Sequence, residues 1–148
     1  MILSIIIPVY NEEKTILEVL KKIKNNSSNF FKYEIIVIDD GSTDQSRKLL
    51  ETNKNLYDKL LINETNRGKG FSIKKGLINA TGSHILFQDA DLEYDPADYK
   101  KFEKIFIEFD ADGIIGSRFI YANYTRSYNI LNKFGNKILT LIFNLLYN

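Results

Sequence analysis

Near-continuous apolar, largely β-branched runs recur along this chain at strand length, and polar segments of helical period separate them. Ile2 to Ile7 and Glu34 to Ile38 are the clearest runs. Such runs suit strands that are covered on both faces, the situation of a parallel sheet. Further strands are expected at Lys59 to Ile62, His84 to Phe87 and Asp112 to Ile115. Between them, Asn11 can cap a helix carrying Ile16, Leu17, Leu20 and Ile23 on one face. Ser42-Thr43-Asp44-Gln45 matches a capping box for a short helix through Leu49 and Leu50. A third helix is expected over Phe71 to Asn79, and Asp95-Pro96 opens a fourth with proline at its first position. Strand and helix in alternation imply right-handed parallel crossovers, hence an α/β, Rossmann-like, doubly wound and mainly parallel sheet flanked by helices.

Sheets of this kind bind ligands beyond the carboxyl ends of their strands. Polar groups stand at each of those ends: Tyr10, Asn11 and Glu12; Asp39, Asp40 and Ser42; Asn66, Arg67 and Lys69; Asp89, Asp91 and Glu93; Ser117 and Arg118. Composition narrows what they can do. The 148 residues fit one domain; they include no cysteine and one histidine. That excludes a disulfide framework, a thiol nucleophile and a zinc-cysteine site, and it leaves oxygen ligands suited to magnesium or manganese. Lys plus Arg is 20 against Asp plus Glu 19, without the basic excess a nucleic-acid binder needs. A Ser-His-Asp triad has no support, because His84 opens a strand and reads as structural.

Asp89-Ala90-Asp91 follows an apolar strand, so two carboxylates emerge at the sheet edge, where they can share a hard divalent cation or simply turn the chain. Asp39 directly follows four apolar strand residues. It is expected to point into the crevice and accept from a base N–H or a ribose hydroxyl. Arg67-Gly68-Lys69-Gly70 puts two cations between glycines before a helix, an arrangement suited to phosphate or to a solvated loop. Arg118 can clasp a phosphate bidentately or form a surface ion pair.

Taken together the segments resemble glycosyltransferase family 2, which has the GT-A fold. The matching stretches are Ile5 to Glu13, Glu34 to Asp44, Asn66 to Gly70, Asp89 to Pro96 and Gly116 to Arg118, and they span nearly the whole chain. The last motifs look most like the dolichol-phosphate mannosyltransferase and polyprenyl-phosphate glycosyltransferase branch. The resemblance implies that Pro8, Tyr10, Glu12 and Asp39 cradle the base and ribose of a GDP- or UDP-sugar. Lys69 would lie near the nucleotide and Asp89 between nucleotide and metal. Asp91 would ligate Mg2+ or Mn2+, Glu93 would add a ligand, and Arg118 would contact phosphates. It implies inverting, metal-dependent transfer to an acceptor, either a polyprenyl (dolichyl) phosphate or a saccharide. The alternative is a nucleotide-sugar binder without turnover.

Residues 1–148 are expected to form a single GT-A domain that lacks the family's C-terminal, acceptor-side portion. Met1 leads straight into an apolar run that stops at Pro8, so no secretory leader is expected, and no window holds the apolar residues of a spanning helix. The expected location is cytoplasmic. The tail over 126–147 is apolar on a helical period with Arg126, Lys133 and Lys137 nearby. It reads either as a core-packing helix or as a peripheral contact with the cytoplasmic face of an anionic membrane.

Overall fold

A computed structural model describes residues 1–26, 28–109 and 113–114. Its elements run β1 (Ile2–Val9), α1 (Ile16–Asn25), β2 (Lys32–Asp40), α2 (Ser46–Thr52), β3 (Lys59–Asn63), α3 (Lys69–Asn79), β4 (His84–Phe87) and α4 (Tyr99–Phe109). Of the fifth strand expected over 112–115, only 113 and 114 are described and neither is in a strand; Ser117, Arg118 and the tail over 126–147 lie outside the described residues.

The four strands form one sheet in the order β3-β2-β1-β4, and every pairing is parallel. β1 is central, with Ile5 opposite Ile35 on one side and Leu86 on the other. Strand alternation divides the core into two layers. Ile5, Ile7, Val9, Ile35 and Val37 pack with Ile16, Val19, Leu20 and Ile23 of α1 and Leu50 of α2. Ile6, Ile36 and Ile38 face the opposite way. There α3 comes so close that a Cβ on Gly76 would lie 2.6 Å from Ile6 and 3.0 Å from Ile38. All thirteen of these core side chains are at most 1% exposed, and burying each is worth about 1.5–3 kcal/mol before entropy is counted.

Two helix starts differ from expectation. α1 begins at Ile16, and Asn11 instead adopts φ 55° and spends its side chain on the neighbouring loop. Its Oδ1 accepts from the N–H groups of Thr43 and Asp44 at 2.8 and 3.3 Å. α2 begins at Ser46 and not beside Ser42, because the Ser42 hydroxyl is taken by the Asn11 N–H at 3.1 Å. Asp44 serves the first turn instead, accepting from the Ser46 N–H at 2.9 Å. The residues that read as local caps therefore lace the β1–α1 and β2–α2 loops together. Both Asn and Ser favour such side-chain-to-backbone bonds, so the local signal was genuine but the partner was distant. The fourth helix opens as expected: Asp95 accepts from the Ala97 N–H, and a short 3-10 turn from Pro96 leads into α4.

At the amino end of the sheet Glu34 gathers donors from Ser4, Lys59 and Thr81. Burial by itself raises its pKa, but those hydrogen bonds outweigh burial and hold it at about 2, against an ordinary 4.5. Because the folded pKa is depressed, its stabilisation is complete above the ordinary value and is lost as pH falls toward about 2. Glu34→Gln is expected to cost about 1–3 kcal/mol at neutral pH, with the difference from wild type shrinking as pH is lowered. Urea denaturation across that range checks it, and a pH-independent difference would assign the effect to packing.

Candidate active site

The carboxyl edge of the sheet opens into a cavity of about 310 Å3. β1 and its loop contribute Pro8, Val9, Tyr10 and Glu12; β2 contributes Asp40; the β3–α3 loop contributes Asn66, Gly68 and Lys69; and the loop after β4 contributes Asp89, Ala90 and Asp91. The position follows from strand order. Crossovers leave β1 toward β2 and β3 on one side while β4 lies on the other, so the loops separate above β1. Proline is tolerated in β1 because the pairing with β4 ends at Ile6, before Pro8.

Asp39 and Asp40 divide between the two faces of the sheet. Asp39 is fully buried on the α2 side, where its carboxylate pairs with Arg47 Nε at 2.7 Å and accepts from the Ser42 N–H at 3.3 Å. Arg47 also donates to the Asn63 carbonyl at 3.0 Å, so this pair ties α2 to the ends of β2 and β3. Asp39 does not line the cavity, contrary to the expectation that it points into the crevice. Strand alternation turns the next residue, Asp40, toward the opposite face.

Asp40 organises the loop after β3. It accepts from Asn63 Nδ2 at 2.7 Å and from the N–H groups of Arg67 and Gly68 at 3.0 and 2.8 Å. Burial would raise its pKa, yet the bonds from Asn63, Arg67, Ser72 and Gly68 bring it below the ordinary value. Gly41 beside it has φ 70°, and a Cβ there would lie 2.6 Å from the Asn66 nitrogen. The loop thus presses directly on the β2 end. Gly68, at φ 88°, precedes α3, which starts at Lys69, two residues earlier than expected. Arg67 is not among the lining residues; its guanidinium lies 4.0 Å above the Phe71 ring.

Lys69 Nζ reaches Asp89 at 2.5 Å across the cavity. Asp91 turns its own loop, accepting from the Glu93 N–H at 3.0 Å, and Leu92 takes φ 66° at that bend. Glu93 does not line the cavity. Among the described residues, no three carboxylates or imidazoles converge to hold a metal ion unaided. Asp89 and Asp91 nevertheless share the cavity wall, and two carboxylates match the protein's share of a magnesium site that takes its other oxygens from phosphate and water.

Two residues with no conspicuous motif stand behind the loop after β4, outside the cavity lining. Gln88 is 1% exposed and donates to the carbonyls of Asp89 and Tyr94 at 2.9 and 3.1 Å. Tyr99 of α4 donates its hydroxyl to Gln88 Oε1 at 2.7 Å. Burial first, then the nearby Tyr33, raises the Tyr99 pKa, so the phenol stays a donor. A glutamine after an apolar strand was the available signal for Gln88; nothing local marked Tyr99 as its partner. His84, as expected of a structural residue, packs edge-on against Phe31 and Phe106.

Among the described residues the sheet is parallel, with helices on both faces and a charged crevice at its carboxyl edge, which is the Rossmann-like type of α/β fold. Residues 4–147 match the sequence model of Glycosyl transferase family 2, and the chain belongs to that family. It is 38% identical over 129 residues to a dolichyl-phosphate beta-glucosyltransferase of Dictyostelium discoideum, covering 78% of this chain and 39% of that protein. Over 97 residues it is 38% identical to an undecaprenyl-phosphate 4-deoxy-4-formamido-L-arabinose transferase of Proteus mirabilis, covering 63% of this chain and 30% of that one. The fold is that of GT-A glycosyltransferases. A crystal structure of S. aureus TarS 1–349 in complex with UDP superposes with TM-score 0.65 and 28% identity, covering 87% of this chain and 40% of that one. Mannosyltransferase PcManGT from Pyrobaculum calidifontis, in complex with GDP-Man and Mn2+, gives 0.55 and 32%, covering 65% and 29%. The chain therefore spans well under two thirds of the length of these relatives.

The dense bonding around Asp40 makes one prediction. Asp40→Asn would set an amide NH2 or a single remaining oxygen against several donors, so it is expected to destabilise by about 1–3 kcal/mol. Hydrogen exchange over residues 66–69 should quicken in the same variant. Unchanged exchange there would show that Asp40 does not hold the loop.

Proposed function

We propose that this chain is the nucleotide-sugar half of an inverting, metal-dependent glycosyltransferase whose acceptor is a polyprenyl phosphate. The observation that carries the reading is the convergence of Asp89, Asp91 and Lys69 on one cavity at the β1–β4 switch point. A nucleoside diphosphate carries two negatively charged phosphates and needs cationic partners. Lys69 supplies one directly. Asp89 and Asp91 would hold a divalent cation there, with Glu93 two residues further along the loop, and the chemistry that cation would supply is neutralisation of the departing diphosphate. The Mn2+ and GDP-Man bound by PcManGT and the UDP bound by TarS support this choice of ligand.

The remaining lining residues suit the nucleoside. Tyr10 lines the cavity and is 44% exposed, so its ring is available to a base or ribose. Pro8 and Glu12 stand beside it, Glu12 being steadied by the Thr15 hydroxyl at 2.8 Å. Asp39 contributes by fixing the β2 end through Arg47. In the transfer itself the acceptor oxygen attacks the anomeric carbon and the bond to the diphosphate breaks with inversion. A phosphate acceptor is already ionised near neutral pH, so the site requires no strong general base. The polyprenyl-phosphate relatives support that acceptor. Among the described residues, no helix is long and apolar enough to cross a membrane.

UDP or GDP is expected to bind in Mn2+ and to lose at least about tenfold in affinity in chelator, since two carboxylates and a diphosphate repel without a bridging cation. Asp91→Ala should reproduce the loss in the presence of metal without changing the melting temperature. Calorimetry in the two buffers decides: equal affinities would overturn the assignment of Asp89 and Asp91. Radiolabelled-sugar transfer to polyprenyl phosphate against a free saccharide tests the acceptor.

A further inference from the structure

The loop that carries Asp89 and Asp91 has little to hold it from its own sequence. From Asp89 to Tyr94 it contains no helix or strand, and only Ala90 is buried among its six residues. Leu92 occupies the left-handed region, which disfavours a branched apolar residue. Yet this segment presents two carboxylates to the cavity. Some contact outside the loop must set where they stand.

Besides the Lys69 ammonium on the Asp89 carboxylate, one such contact is a buried amide that holds the loop's backbone. The Gln88 backbone continues the sheet, its N–H donating to the Ile6 carbonyl at 3.1 Å, so its Cα is registered against the central strand. Its side chain then bridges the loop, donating one amide hydrogen to the Asp89 carbonyl and the other to the Tyr94 carbonyl. The two carbonyls can only accept and the Tyr99 hydroxyl donates to Oε1, so one orientation of the amide satisfies all three bonds. Tyr99 is 6% exposed, sits at the start of α4 and meets the Tyr33 ring edge-on at 6.0 Å between centroids. The chain of contacts runs from β1 through Gln88 to both ends of the loop, and from Gln88 through Tyr99 to α4 and β2.

We propose that Gln88 and Tyr99 are positioning residues that set the Asp89–Asp91 loop to meet the diphosphate and its cation. The inference rests on the nucleotide-sugar reading of the site. Neither residue lines the cavity; both act through the loop. Fixing the loop beforehand spares binding the cost of ordering it, so loosening it should show first in the metal requirement.

Tyr99→Phe removes one hydroxyl and keeps the ring in its packing, and Gln88→Met keeps volume while deleting the bridge. Two measurements on the full chain test them, at a temperature where melting curves show each variant folded. Titration of Mn2+ against UDP or GDP binding is expected to need three- to tenfold more metal in Tyr99→Phe and over tenfold more in Gln88→Met. Affinity in chelator should stay as in wild type. Hydrogen exchange over 89–94 should quicken in both variants while β1 and β2 remain protected. Unchanged exchange in that segment, or an unchanged Mn2+ requirement with the nucleotide bound, overturns the proposal. If wild type binds neither nucleotide in Mn2+, the nucleotide-sugar reading fails separately, and the exchange data alone then decide whether the amide holds the loop.

Discussion

The register of β1 between β2 and β4 is the constraint on which the rest of this molecule depends. All the pairings are parallel, and β1 and β2 are buried on both faces, so a slip of one residue would exchange the α1 layer for the α3 layer along the whole strand. The two layers are not interchangeable. One takes Ile16, Leu20 and Leu50 from helices, whereas the other admits α3 only because position 76 lacks a side chain. The same register decides that β1 ends with Pro8 and Val9 above the cavity and that Asp40 faces it.

Beyond the strands, the carboxyl edge is held by polar side chains that are themselves buried. Asp39, Asp40, Asn63, Ser46, Ser72 and Gln88 are each at most 4% exposed, and each has partners. No buried side-chain nitrogen or oxygen among the described residues is left without a hydrogen bond. Loops at such an edge cannot rely on apolar packing, because the cavity they surround is lined by charged and polar side chains. Satisfied polar networks replace packing there: an unmade bond inside costs more than a made one contributes, so each partner enforces the next. Arg47, Asp40 and Gln88 are the points where three loops are tied to the sheet.

Family membership and geometry bear on different parts of the chemistry. Membership of Glycosyl transferase family 2 rests on residues 4–147 as a whole. The geometry adds that a lysine and two carboxylates meet in one cavity, and that the carboxylates ride on a loop set from below by Gln88. Lys69 offsets Asp89 across 2.5 Å, while Glu12, Asp40 and Asp91 leave the lining of the cavity acidic.

Much of this was legible in the residues themselves. The strand runs, the α/β alternation, the Asp95-Pro96 helix start and the Asp89-Ala90-Asp91 edge follow from period and propensity, which act over a few residues. The sequence alone could also place Lys69 and Asp89 at carboxyl ends of strands, but it could not bring them together, because β3 and β4 stand at opposite edges of the described sheet. What it could not decide was the partner of each polar side chain. Asn11 and Ser42 carry the chemistry of helix caps, yet each is used by the other's loop. Asp39 and Asp40 are adjacent and chemically identical; only the position of Arg47 on α2 and of the Arg67–Gly68 backbone separates their roles. Gln88 and Tyr99 lie 11 residues apart and meet only when α4 folds back under the loop. Periodicity is a local property and survives in the sequence, whereas a hydrogen-bond partner is chosen by whichever distant segment the packed layers bring within about 3 Å, and that is settled only by the tertiary fold.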